Sequence, residues 1–125
     1  MTEKPLAFVI EDDKNLALAF AEAVEEADYE VEVLNDGKIA MERLAETTPT
    51  IVILDLHIPH VKGSEILDYI RSTERLENIR VIVASADDHR AAELRGIADL
   101  VLLKPVGFRQ LQQLALRLRP KETSD

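Results

Sequence analysis

The sequence predicts an α/β domain built from βαβ units, and three observations predict it. Five short apolar runs alternate with five segments whose apolar residues recur at helical spacing. Four of those runs close on a polar or charged residue. The chain has 125 residues, the size of one ordinary domain, and 46% of them are hydrophobic, enough to bury a core without staples.

Leu6-Ala7-Phe8-Val9-Ile10 reads as a buried strand closing on Glu11-Asp12-Asp13. A helix follows from near Asn15, capped by Asp12 or Asp13, with Leu16, Phe20, Ala23, Val24 and Ala27 on one face. Tyr29, Val31 and Val33 alternate with Glu30, Glu32 and Leu34, the pattern of a partly covered strand at a sheet edge. Asp36-Gly37 turns the chain into a second helix over residues 39–46, which Thr47-Thr48-Pro49 ends. Ile51-Val52-Ile53-Leu54 is the central strand and closes on Asp55. After the loop 56–63, Ser64 is expected to cap a third helix that buries Ile66, Leu67 and Ile70. Residues 79–84 form the fourth strand, ahead of Ser85. Asp87 or Asp88 caps a short fourth helix bearing Ala91, Ala92 and Leu94. Leu100-Val101-Leu102-Leu103 is the fifth strand and closes on Lys104-Pro105. The last helix, residues 108–118, turns Phe108, Leu111, Leu114, Ala115 and Leu118 inward. Residues 121–125 are polar and read as a frayed tail or the start of a linker, so the domain is placed at 1–120.

Composition narrows the function. There is no cysteine, hence no disulfide framework, thiolate metal site or cysteine nucleophile. The start lacks a signal peptide's apolar stretch, and no apolar run approaches a membrane span. A cytoplasmic protein without membrane contact is the expectation. The net charge of −9 repels phosphate backbones, so direct nucleic-acid binding is not expected.

In an open parallel sheet, ligands bind outside the carboxyl ends of the strands. Glu11, Asp12, Asp55, Ser85 and Lys104 are therefore delivered to one edge. Carboxylate oxygens suit a divalent cation, and a hydroxyl with an ammonium suits a phosphoryl group. Asp13 reads as a helix cap instead. His57 and His60 have no third nitrogen ligand at useful spacing and read as solvated.

The ordered set of Glu11-Asp12-Asp13, Asp55, a proline four residues on, a glycine eight residues on, Ser85-Ala86 and Lys104-Pro105 resembles the receiver domain of two-component response regulators. The resemblance covers residues 6 to about 118. It implies a flavodoxin-like doubly wound fold, a five-stranded parallel sheet in the order 2-1-3-4-5. It implies that Asp55 accepts a phosphoryl group and that Glu11, Asp12, Asp55 and the backbone carbonyl of His57 hold Mg2+, Asp12 directly and Glu11 more through water. Ser85 and Lys104 would contact the phosphoryl group, and Pro105 would follow the lysine through a cis peptide. The implied partners are a sensor histidine kinase, a downstream effector or output domain, and a second copy through the fourth helix, fifth strand and fifth helix. Such a domain catalyses only its own phosphorylation and dephosphorylation.

Three positions depart from the family pattern. The position three before the lysine, often aromatic, is Val101, which puts the usual aromatic switch in question. Residues 96–100 are more apolar than the usual acidic turn. His57 and Asp87 would flank the path of hydrolytic water. Rival readings are weaker on the residues. An aspartyl-nucleophile phosphohydrolase of the haloacid dehalogenase type wants a second aspartate where His57 stands. A flavin or nucleotide module wants a phosphate loop where Glu11-Asp12-Asp13 stands. A degenerate receiver, serving only as a docking module, is the remaining alternative.

Overall fold

The apolar runs become five parallel strands in the computed structural model, which describes residues 4–120. They are β1 (Leu6–Ile10), β2 (Glu30–Leu34), β3 (Ile51–Asp55), β4 (Arg80–Ser85) and β5 (Leu100–Leu103). The helices between and after them are α1 (Lys14–Glu26), α2 (Gly37–Glu46), α3 (Gly63–Ser72), α4 (Asp88–Leu94) and α5 (Phe108–Leu118), with a 3-10 turn at Glu74–Leu76. One sheet runs in the order β2-β1-β3-β4-β5, as the family resemblance implies. The tail at 121–125 lies outside the described residues.

Side-chain alternation sorts the sheet into two faces. Phe8, Ile10, Val52, Leu54, Val81 and Val83 meet α2, α3 and the 3-10 turn. Ala7, Val9, Ile51, Ile53, Ile82 and Ala84 meet α1 and α5. Tyr29 ties the second face together: its hydroxyl donates to the Ala115 carbonyl at 2.8 Å, and burial pushes its pKa up to about 12. The edge strands β2 and β5 are mostly half-buried, in keeping with the alternation at Glu30–Leu34. Among the described residues, no helix is long and apolar enough to cross a membrane.

Several boundaries differ from expectation. The second helix starts at Gly37, because Asp36 accepts from the Lys38 and Ile39 N–H groups and caps the chain at once. Ser64 does not cap α3. That helix starts at Gly63, with Lys62 at its cap position and no side-chain cap bond. Close packing explains the shift: a Cβ on residue 63 would lie 2.6 Å from Leu56 Cα and 2.7 Å from the Asp55 carbonyl oxygen. The glycine hugs the end of β3 and draws the helix start forward. Ser85 closes β4 from within the strand, opposite Leu103. Ala92 is exposed while Ala91 is buried, and Phe108 is 39% exposed at the first turn of α5, ahead of buried Leu111. Half-buried Val101 packs against the face that carries α2 and α3.

At the amino ends of the strands, Asp99 and Arg71 form a clamp. The Asp99 carboxylate accepts from Val81 N–H at 2.7 Å, Arg71 at 2.9 Å and Arg80 at 3.1 Å. Arg71 also donates to the carbonyls of Ile79, Ile97 and Glu77 at 2.6, 2.7 and 3.0 Å. This joins α3 to the starts of β4 and β5.

Candidate functional site

Parallel register decides which side chains share the opposite end of the sheet. Ile10 pairs with Leu54, so Glu11 and Asp55 leave adjacent strands side by side. Asp55 pairs with Ala84, which puts Ser85 one residue beyond. Lys104 N–H donates to the Ser85 carbonyl at 2.8 Å, which seats the lysine backbone beside the same edge.

The side chains then meet. Lys104 Nζ donates to Glu11 Oε1 at 3.2 Å and to Asp55 Oδ1 at 3.3 Å. Glu11 and Asp55 are only 1% and 3% exposed, so both carboxyls sit in a region where charge is poorly screened. Asp12 is exposed, yet carboxylate oxygens of Glu11, Asp12 and Asp55 lie within 4.8 Å of one another. His57 N–H donates to Asp55 Oδ1 at 3.1 Å, which orients that carboxylate. Asp13 stands outside the cluster. Its carboxylate takes the Leu16 N–H at 3.0 Å and caps α1, while its N–H donates to Glu11 Oε2 at 3.2 Å.

One ammonium facing three carboxylates leaves negative charge in excess. Burial, and then the neighbouring Asp55 charge, push the Glu11 carboxyl up to about 7. The Asp13 N–H and Lys104 pull the other way without prevailing. Burial works against the Lys104 ammonium, but Asp55 and Glu11 hold it above its ordinary value. A cluster of oxygen donors with surplus negative charge fits a hard divalent cation.

Ser85 reaches the edge by its backbone, but its hydroxyl is engaged elsewhere. Fully buried, it donates to the Asp87 carbonyl at 3.2 Å and accepts from Asp87 N–H at 3.0 Å. The Asp87 carboxylate caps α4 through the His89 and Arg90 N–H groups at 2.9 and 3.3 Å. The peptide between Lys104 and Pro105 is cis.

His57 is exposed, in line with the solvated reading, but His60 is not merely solvated. Its Nδ1 is bonded to the Asp36 carboxylate across 24 positions of sequence. Gly37 N–H donates to the Pro59 carbonyl at 3.0 Å, and a Cβ there would lie 2.6 Å from the Val61 carbonyl oxygen. The loop after Asp55 is thus docked on the start of α2. Asp36 is legible in sequence only as a turn and cap residue, and nothing near His60 in the chain marks its partner.

Residues 7–116 match the family model for the response regulator receiver domain. The chain belongs to that family. It is 31% identical over 112 residues to the response regulator ArlR of Staphylococcus saprophyticus, covering 89% of this chain and 49% of that protein. It likewise spans 47% of the response regulator MprA of Mycolicibacterium vanbaalenii, at 31% identity over 114 residues. The chain therefore spans about half the length of these curated relatives. Among solved structures, the receiver domain of a Francisella response regulator superposes with a TM-score of 0.81 at 26% identity, covering 92% of this chain and 96% of that one. The chemotaxis response regulator CheY4 of Vibrio cholerae, at 19% identity, shares the fold with a TM-score of 0.83 over 92% of this chain and 98% of its own.

Proposed function

We propose that this receiver domain is a phospho-accepting switch that takes a phosphoryl group from a sensor histidine kinase onto Asp55 in a Mg2+-dependent reaction. The observation that carries the reading is the buried Asp55 carboxylate, bonded to Lys104 and grouped with Glu11 and Asp12 at one sheet edge. Glu11, Asp12, Asp55 and the His57 carbonyl would hold the cation. When bound, Mg2+ supplies charge neutralisation between an anionic acceptor and an anionic phosphoryl group.

The chain's own residues supply the rest. An Asp55 oxygen attacks phosphorus as the bond to the donor's imidazole nitrogen breaks, a reaction that depends mainly on positioning and charge stabilisation. His57 N–H, already bonded to Asp55 Oδ1, keeps one oxygen occupied and leaves the other to attack. Lys104 shifts its ammonium from the carboxylates to a phosphoryl oxygen. Ser85 gives up its bond to the Asp87 carbonyl and donates to the phosphoryl group. Because that bond sits at the start of α4, the change is passed to the 85–90 loop and to α4.

Val101 is β-branched, with little χ1 freedom, so β5 contributes little rotamer change. The face of α4, β5 and α5, with Leu103 and Phe108 exposed at its rim, is where an effector, an output domain or a second copy docks. The domain works in the cytoplasm, away from membrane and nucleic acid, and catalyses only its own phosphorylation and dephosphorylation.

Acetyl phosphate with Mg2+ tests the assignment. Intact-mass analysis should find one added phosphoryl group in the parent and none in Asp55→Asn. A label that survives this substitution would sink it.

A further inference from the structure

The end of the sheet opposite the carboxylates carries an open hollow of about 360 Å³, lined by Arg80, Arg117 and Arg119. That volume falls within the range of small-ligand pockets. In a chain of net charge −9, three guanidiniums around one hollow run against the overall field. Two of them are held ready. Arg80 is paired with Asp99 at 3.1 Å, and Arg119 donates to the Asp28 carbonyl at 3.3 Å and sits 3.5 Å from its carboxylate. Neither carboxylate is theirs alone, since Asp99 also serves Arg71 at 2.9 Å and Asp28 also serves Lys4 at 3.6 Å. Arg117 has no acidic partner among the described residues. Among the described residues, positive charge is left over.

The remaining wall is chemically specific. It includes Thr50 and Asn78, whose side chains carry a hydroxyl and an amide, and the apolar Leu118 and Pro120. The floor is rigid, because Thr50 N–H donates to the Leu6 carbonyl at 2.8 Å and Arg80 N–H donates to the Thr50 carbonyl at 3.1 Å. Pre-positioned guanidiniums lose little freedom on binding an anion.

We infer that this hollow binds a small phosphate-bearing molecule, its phosphate on Arg80, Arg117 and Arg119 and its organic part against Leu118 and Pro120. A guanidinium has donors and no acceptor, so three of them with a hydroxyl and an amide offer more donors than two carboxylate oxygens can use. A phosphate monoester brings three terminal oxygens and close to two charges at neutral pH. The site is independent of the phosphorylation chemistry. Arg80 opens β4 and Ser85 closes it, which separates the two ends by roughly 17 Å.

Phenyl phosphate is the probe, titrated into 15N-labelled Asp55→Asn protein at pH 8 in EDTA, where the carboxylate edge lacks both acceptor and cation. Saturable shifts are expected at Asn78, Arg80 and 117–119, with the affinity falling as salt rises. Arg117→Ala, a change at an exposed side chain, should weaken binding about tenfold, the scale of one charge-assisted contact. Arg109→Ala, at the other end of α5, should leave it unchanged. Benzoate, with the same ring on a carboxylate, should bind at least tenfold more weakly. Equal binding by Arg117→Ala, equal binding of benzoate, or no saturation below about 10 mM would overturn the site.

Discussion

The two ends of this sheet hold carboxylates in opposite electrostatic conditions. At the amino ends of the strands, Asp99 is met by the Val81 N–H and by two guanidiniums. Burial works against its charge, yet those donors hold its carboxyl below the ordinary value. At the carboxyl ends, Glu11 shares one lysine with Asp55 and is pushed up to about 7. Burial and donors both separate them: Glu11 is buried with only the Asp13 N–H and a lysine shared with Asp55, whereas half-buried Asp99 has one N–H and two guanidiniums. A carboxylate with donors in plenty serves as a structural clamp, whereas carboxylates short of donors form a site that gains from an added cation.

The largest expected effect lies at the clamp. Asp99→Ala should cost about 2–4 kcal/mol in urea unfolding, because it strips partners from Arg71 and from the Val81 N–H together. A loss below about 0.5 kcal/mol would mean that the clamp is ordinary surface charge.

Next comes pH, where the two ends should respond in opposite senses. In EDTA, the folded-state pKa of Glu11, about 7, stands above its ordinary 4.5. Its favourable contribution is complete below 4.5 and is lost as pH rises through 7, by about 3 kcal/mol at most. Glu11→Gln should flatten that decline. The depressed Asp99 contributes above its ordinary 3.8 and loses that contribution as pH falls through its lower folded value. Unfolding free energies at a series of pH values, for the parent and for each variant, would separate the two. A parent that gains stability between pH 5 and 8 in EDTA would count against the crowded-carboxylate reading.

Mg2+ should narrow the contrast. At ten times its dissociation constant, it should raise stability by about 1.4 kcal/mol and remove the decline toward alkaline pH. Asp12→Ala should melt higher than the parent in EDTA and lose the response to Mg2+. A parent whose melting point ignores millimolar Mg2+ would contradict the donor-poor description of this end.

The smallest effect tests a helix start. Ser64→Ala should change stability by less than about 0.5 kcal/mol, since the residue lies inside α3 and caps nothing. Asp13→Ala removes a cap bond to Leu16 N–H and should cost about 1 kcal/mol. Equal losses in thermal melts would mean that Ser64 does cap.

Much of the fold is legible in the chain because strand burial leaves a local mark. Ile51 to Leu54 is apolar without a break, as a strand covered on both faces must be, and Glu30–Leu34 alternates, as an edge strand does. The residues that meet at the carboxyl edge are legible for the same reason, since Asp55 and Ser85 close their strands and Glu11 and Lys104 directly follow theirs. Helix starts are less so. Gly63 precedes Ser64 as the start of α3 because the strand end leaves no room for a Cβ, a condition set by Leu56 and Asp55 in space.

By itself, the order of apolar runs and of the residues that close them determined five parallel strands and the delivery of Glu11, Asp12, Asp55, Ser85 and Lys104 to one edge. Periodicity and adjacency act over a few residues, so the chain records them. Only the tertiary structure decided the His60–Asp36 pair, the Arg71–Asp99 clamp 28 positions apart and the turn of Ser85 toward Asp87. It also decided the charge balance at each end of the sheet. Burial and distant neighbours set a carboxyl's affinity for its proton, and neither is a property of local sequence.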